Sequence, residues 1–253
     1  MTMSQKLWMV EWTYSPVDYF EEPVQISNKD YDLTIRDGKV EAKISHDPRP
    51  ELSDQLDTEL RFRFQGIQLI SQKPYKLSGP TVSCRHAEGK RTIFLAGTCV
   101  AKGSVLQADV IITDKNGNIV ADTRTERIER KQSLGALAAK YGGRDTVARK
   151  ILQSYNTAVD DPDNCLVHLY EIRDALAKHF GRDKTAQNQL KVTKARWQEL
   201  GRLANDAPLK QGRHRGKMLS GLRDATRAEL DAAMNIAAEM VEKYLKHIDK
   251  EQT

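Results

Sequence analysis

Apolar positions along the first 130 residues recur at every second place in short runs, and beyond about residue 131 they recur every three or four. Period two is the mark of a strand with one buried face, and period 3.6 that of an amphipathic helix. The early runs Leu7–Thr13, Val24–Ser27 and Tyr31–Arg36 predict strands, and Asp37-Gly38 predicts a tight turn into a strand over Val40–Ile44. Glycine takes the positive φ of such a turn without a steric penalty. Residues 46–57 are polar, contain proline and predict a connection, and Leu60–Phe64 alternates as Leu-Arg-Phe-Arg-Phe, predicting another strand. Thr81–Cys84, Thr92–Thr98, Val105–Thr113 and Ile119–Arg127 complete eight or nine short strands. Strands at that spacing suggest an antiparallel β barrel or sandwich.

The second half predicts helices. Ser133 caps a short one ending at Gly142-Gly143, and Asp145 opens another with Val147, Ile151, Leu152, Tyr155 and Val159 on one face. Asp161-Pro162 starts a third, which stops at Gly181. Thr193 precedes a helix carrying Trp197, Leu200, Leu203 and Ala204, and residues 206–222 predict a long loop. Thr226 and Glu229 have the spacing of a capping box for a final helix reaching Ile248. The expected fold is α+β: an N-terminal β domain over 1–131, for sensing or docking, and a C-terminal helical bundle over 132–253.

Charge sharpens this division. Residues 1–130 hold 18 Lys/Arg and 19 Asp/Glu, whereas residues 131–253 hold 22 and 16. Residues 184–217 alone carry nine basic side chains against Glu199 and Asp206. Such a local excess attracts polyanions by releasing their counterions, so RNA or another polyanion is the expected partner. No apolar run reaches the ~18–20 residues that span a bilayer, and Met1–Tyr14 lacks the pattern of a signal peptide. A cytoplasmic location without membrane contact is expected. Cys84, Cys99 and Cys165 form no CxxC pair, which argues for reduced thiols. Cys165 and His168 stand i, i+3, but no second pair completes a metal site, so neither metal nor cofactor is expected. Nucleotide-binding and hydrolase glycine motifs are missing as well.

Two Arg/His clusters carry the candidate chemistry. In the helix after Pro162, Leu166, Leu169, Tyr170, Ala177 and Phe180 make one stripe, with Arg173 near its centre. A guanidinium facing a bundle requires a carboxylate, a carbonyl or a ligand anion. His179 follows, so the segment reads R-D-x4-H. Here the chain resembles the HEPN superfamily, bacterial helical bundles whose ribonucleases carry Arg, a polar residue and His in such a window. The resemblance implies a metal-independent endoribonuclease of a defence or toxin-type system. Arg173 would stabilise the scissile phosphate, and His179 would move a proton at a ribose hydroxyl. On an ideal helix the two residues stand ~120° apart, so they would meet through distortion of the helix end or across a homodimer of the helical half. The second cluster is Lys210, Arg213, His214, Arg215 and Lys217. With the preceding Trp197 and Leu203-Ala204-Asn205, it resembles the C-terminal region of a group of uncharacterised bacterial proteins with a late Arg-His. Arg213 or Arg215 with His214 would be a rival catalytic pair. The alternative is a binding or regulatory protein without catalysis, which uses the 206–222 loop to hold nucleic acid or an acidic partner.

Overall fold

The computed structural model describes residues 7–44, 50–85, 91–93, 109–113, 118–213 and 221–252. The chain divides into two compact units. Unit 1 takes Met1–Arg61 and Tyr75–Gln132, and unit 2 takes Phe62–Pro74 and Ser133–Thr253. The fold is α+β.

In unit 1, β1 (Leu7–Ser15), β2 (Val24–Ser27), β3 (Asp32–Arg36), β4 (Lys39–Ile44), β5 (Lys76–Arg85) and β6 (Arg91–Ile93) form one sheet in the order β2-β3-β4-β1-β5-β6. The pairings are antiparallel throughout. The sheet is open among the described residues, with β2 and β6 at its edges, so it does not close into a barrel. Its register follows the alternation in the sequence. Leu33 pairs with Ala42 and Ala42 with Val10, and Ile35 pairs with Val40 and Val40 with Trp12, all buried on one face. Asp37 and Gly38 make the β3–β4 turn at φ 50° and 76°. The start of α1 (Pro50–Ser71) joins this core through buried Leu56 and Leu60, and Trp12 Nε1 donates to Asp57 Oδ1 at 3.0 Å. A separate hairpin pairs β7 (Ile111–Thr113) with β8 (Ile119–Asp122).

Two strand expectations are corrected. Leu60–Phe64 lies inside α1, because side chains around much of that helix are buried: Leu60, Phe62 and Phe64 inward, but also Leu56 and Ile67 at helical spacing. Residues 123–127 belong to α2 (Thr123–Gly142) rather than to a strand, since Asp122 Oδ1 accepts from the backbone of Arg124 and Thr125 and caps the helix. The expected strands over 94–98 and 105–108 lie outside the described residues, as does Cys99.

Unit 2 is a helical bundle. The ends of α1 and α2 join α3 (Thr146–Asp160), α4 (Cys165–His179), α5 (Asp183–Leu190), α6 (Lys194–Gly201) and α7 (Arg227–Glu251) around one apolar core. The caps at Asp145 and Thr193 and the Thr226–Glu229 capping box are present. Gly181, at φ +85°, ends α4. The short helix α5 was not anticipated. No helix among the described residues is long and apolar enough to cross a membrane.

Candidate functional site

Tyr170, Arg173 and Asp174 stand at i, i+3 and i+4 on α4 and so share one flank of the helix. The Arg173 side chain is 16% exposed, as its place in the apolar stripe requires. Its Nη2 donates to Asp183 Oδ2 at 2.5 Å and its Nη1 to the Tyr170 hydroxyl at 2.7 Å. Asp183 stands in the first turn of α5, where the exposed helical N–H groups favour a carboxylate. The guanidinium carbon lies 5.1 Å from the Tyr170 ring centroid and 5.5 Å from that of Trp197. Gly201, one turn beyond Trp197 on α6, faces the same group, and a Cβ there would stand 3.5 Å from Nη1. A methyl group there would make only ordinary contact with the guanidinium.

Arg213 reaches the same tyrosine from a later segment of the chain. After α6 the chain widens into a π-helical turn, Arg202–Asp206, and folds back so that the Arg213 backbone N–H donates to the Ala204 carbonyl at 2.8 Å. Its guanidinium lies 4.3 Å from the Tyr170 ring centroid, and Nη1 donates to Asp174 Oδ2 at 3.2 Å. Tyr170 thus carries one arginine over its ring and another on its hydroxyl. The balancing carboxylates are open to water, with Asp174 53% and Asp183 47% exposed. Ion pairs so exposed are weak and exchangeable. Nearby, Lys210 pairs with Asp224 at 2.9 Å and holds its carboxyl below the usual range. Arg223 grips Glu229 through two bonds of 2.8 and 2.7 Å. That grip, with the Thr226 backbone N–H, brings the Glu229 carboxyl down to about 2.

The expected residues are thus distributed unevenly. Arg173 and Arg213 converge on Tyr170. His179, at the end of α4, is exposed and packs elsewhere: its ring centroid is 4.7 Å from that of Phe180 and 5.4 Å from that of Tyr244. It shares no hydrogen-bond or ring partner with Arg173 among the described residues. His214, Arg215 and Lys217 lie outside the described residues. The Cys165 thiol is buried 3.7 Å from the Met234 sulfur, and burial pushes its pKa up to about 11. His168 instead meets Asp161 at 3.4 Å and Glu171 at 3.7 Å. Among the described residues no three His, Cys, Asp or Glu gather as metal ligands. Further round α4, an open groove of about 460 Å³ is lined by Lys150, Ser154, Thr157, His168 and Glu171, among others.

Tyr170, Asp174, Asp183, Trp197 and Gly201 were not anticipated as site residues. The i, i+3 step from Tyr170 to Arg173 and the i, i+4 step from Trp197 to Gly201 are local signals. The pairings of Arg173 with Asp183 and of Arg213 with Asp174 arise from tertiary packing and leave no local trace. No protein-family model, curated protein or solved structure matches the chain.

Proposed function

We propose that the protein is a cytoplasmic, non-catalytic RNA-binding protein whose helical unit holds the phosphate backbone through Arg213, Lys210 and the rest of the 206–222 segment. The observation that carries this reading is the convergence of Arg173 and Arg213 on Tyr170, balanced by carboxylates half open to water. A phosphodiester can exchange with such carboxylates, and paired guanidinium groups suit the phosphates of RNA. Buried free thiols at Cys84 and Cys165 agree with a reducing compartment. The test is the binding of labelled single-stranded RNA across a salt series. Affinity should fall steeply with salt, and Arg213→Ala combined with Lys210→Ala should flatten that dependence. An unchanged slope in the double variant would remove the site from consideration.

A ribonuclease remains the second reading, favoured by one observation: Arg213, the chain neighbour of His214, stands in the Arg173 cluster. The catalytic pair would then be Arg173 and His214 rather than Arg173 and His179, in a HEPN-like, metal-independent enzyme of defence or toxin type. Cleavage that survives a chelator, persists in His179→Ala and disappears in His214→Ala would replace binding with catalysis. Purified protein with labelled RNA decides between the two. A homodimer through the helical half, measurable by sedimentation, belongs to this second reading.

A further inference from the structure

Arg173 and Arg213 meet the same tyrosine, and they differ in what else they are free to meet. The Arg173 side chain is 16% exposed, donates to Asp183 through Nη2 and to the Tyr170 hydroxyl through Nη1, and lies beside the Trp197 ring. The Arg213 side chain is 38% exposed and donates to Asp174, a carboxylate about half open to water. A long side chain that is loose before binding must be fixed on the ligand, which weakens binding. The Tyr170 ring, 4.3 Å from the Arg213 guanidinium carbon, limits that looseness in advance. The ring is limited in its turn, because the 2.7 Å bond from Arg173 holds its hydroxyl. These contacts make a line of support from Asp183 on α5 to Arg173, from Arg173 to Tyr170, and from Tyr170 to Arg213.

We propose that Tyr170 is a positioning residue: of the two arginines only Arg213 touches the RNA phosphates, Tyr170 aims its guanidinium, and Arg173 steadies Tyr170 without reaching the RNA. This rests on the RNA reading and deepens it, by dividing the arginines into one contact and one support. Tyr170 is not a stacking platform for a base, because guanidinium groups already lie over its ring. Arg213 exchanges the Asp174 carboxylate for a phosphate oxygen, one oxyanion for another, while the ring keeps the side chain ordered.

The test is a double-mutant cycle on the full chain, read by fluorescence anisotropy with labelled single-stranded RNA. Tyr170→Leu removes the ring and the hydroxyl, and Tyr170→Phe keeps the ring. Tyr170→Leu should weaken binding about tenfold, the effect of having to fix one long side chain on the ligand. Tyr170→Phe should weaken it by less than about threefold. On an Arg213→Ala background, Tyr170→Leu should weaken binding no further, because a residue that acts only through Arg213 has nothing left to position. A residue that merely supports the bundle, or that touches RNA itself, would weaken both backgrounds alike. An equal loss in both backgrounds, full affinity in Tyr170→Leu, or a loss in Tyr170→Phe as large as that in Tyr170→Leu would overturn the assignment. A second measurement needs no RNA. In the free protein labelled with nitrogen-15, the guanidinium N–H resonance of Arg213 should move in Tyr170→Leu. It should also move in Arg173→Lys, which keeps the charge and loses the planar fork that holds the tyrosine. An Arg213 resonance indifferent to both changes would overturn the line of support, even where RNA still binds. A wild type that binds no RNA, with an Arg213 resonance that responds, would sink the RNA reading and leave Tyr170 as the residue that positions Arg213.

Discussion

Arg127 in unit 1 and Arg173 in unit 2 are both arginines set among carboxylates, and the two neighbourhoods differ in what is left over. Arg127 donates to Glu21 through Nε at 3.0 Å and Nη2 at 2.6 Å, and to Asp109 through Nη1 and Nη2, so all its nitrogens have acceptors. Lys131 adds a bond to Glu21 at 2.5 Å, and the three side chains Arg127, Lys131 and Glu21 are 13%, 10% and 20% exposed. Each nitrogen of that network therefore has a carboxylate oxygen as acceptor. Arg173 and Arg213 have one half-exposed carboxylate each and share the Tyr170 ring, and Arg173 Nε has no acceptor among the described residues. The difference is between a network whose arginine nitrogens all have acceptors and one that leaves a nitrogen without one: counting arginines does not distinguish them, whereas counting unfilled donors does.

That contrast can be broken at four points, from the largest expected effect to the smallest. Arg127→Ala leaves Glu21 and Asp109 facing each other with Lys131 alone, and should cost about 3 kcal/mol of stability in urea unfolding. A loss below about 1 kcal/mol would show that the network does not fasten unit 1. Acid should act on the same place. The Arg127 and Lys131 hydrogen bonds bring the Glu21 carboxyl from 4.5 down to about 2 in the folded protein. A depressed carboxylate stabilises the fold above its ordinary pKa, and that contribution fades as pH falls from about 4.5 toward 2. Stability should fall across this window, and Glu21→Gln should flatten the profile there. Arg173→Ala should cost less, about 1–2 kcal/mol, because Asp183 regains water when its partner goes. A loss as large as that from Arg127→Ala would mean that the second cluster is a fastening too. Asp174→Asn should change stability by no more than about 0.5 kcal/mol. It should nonetheless release Arg213, raising RNA affinity in fluorescence anisotropy and steepening its dependence on salt. Unchanged affinity would place Asp174 outside the site.

Much of the fold was legible because its signals are local. Leu33, Ile35, Val40 and Ala42 alternate in the sequence and pair on one buried face, and the capping residues Asp145, Thr193 and Thr226 announced their helices. Leu60–Phe64 misled because a helix buried on more than one side places apolar residues at two-residue steps as well as at its own period. Asp183–Leu190 escaped notice because only Ala186 and Leu190 of that helix are buried, too few to make a stripe. Arg173 was legible as a buried cation that needed partners. Its partners were not, since Asp183 and Trp197 approach it from other helices, and the same holds for Arg213 and Tyr170.

The π-helical turn at Arg202–Asp206 gives the site a dependence on chain length rather than on composition. Such a turn holds one residue more than the α-helical repeat. Deleting a single residue within it would restore the ordinary repeat and rotate the downstream segment by about 100°. The Arg213 backbone would lose its anchor on Ala204, and the side chain would leave the Tyr170 ring with no charge altered anywhere in the sequence. Leu203 and Ala204 of the turn are themselves fully buried in the bundle core, so the loss of one codon here would disturb the packing around Trp197 and Leu200 together with the register of Arg213.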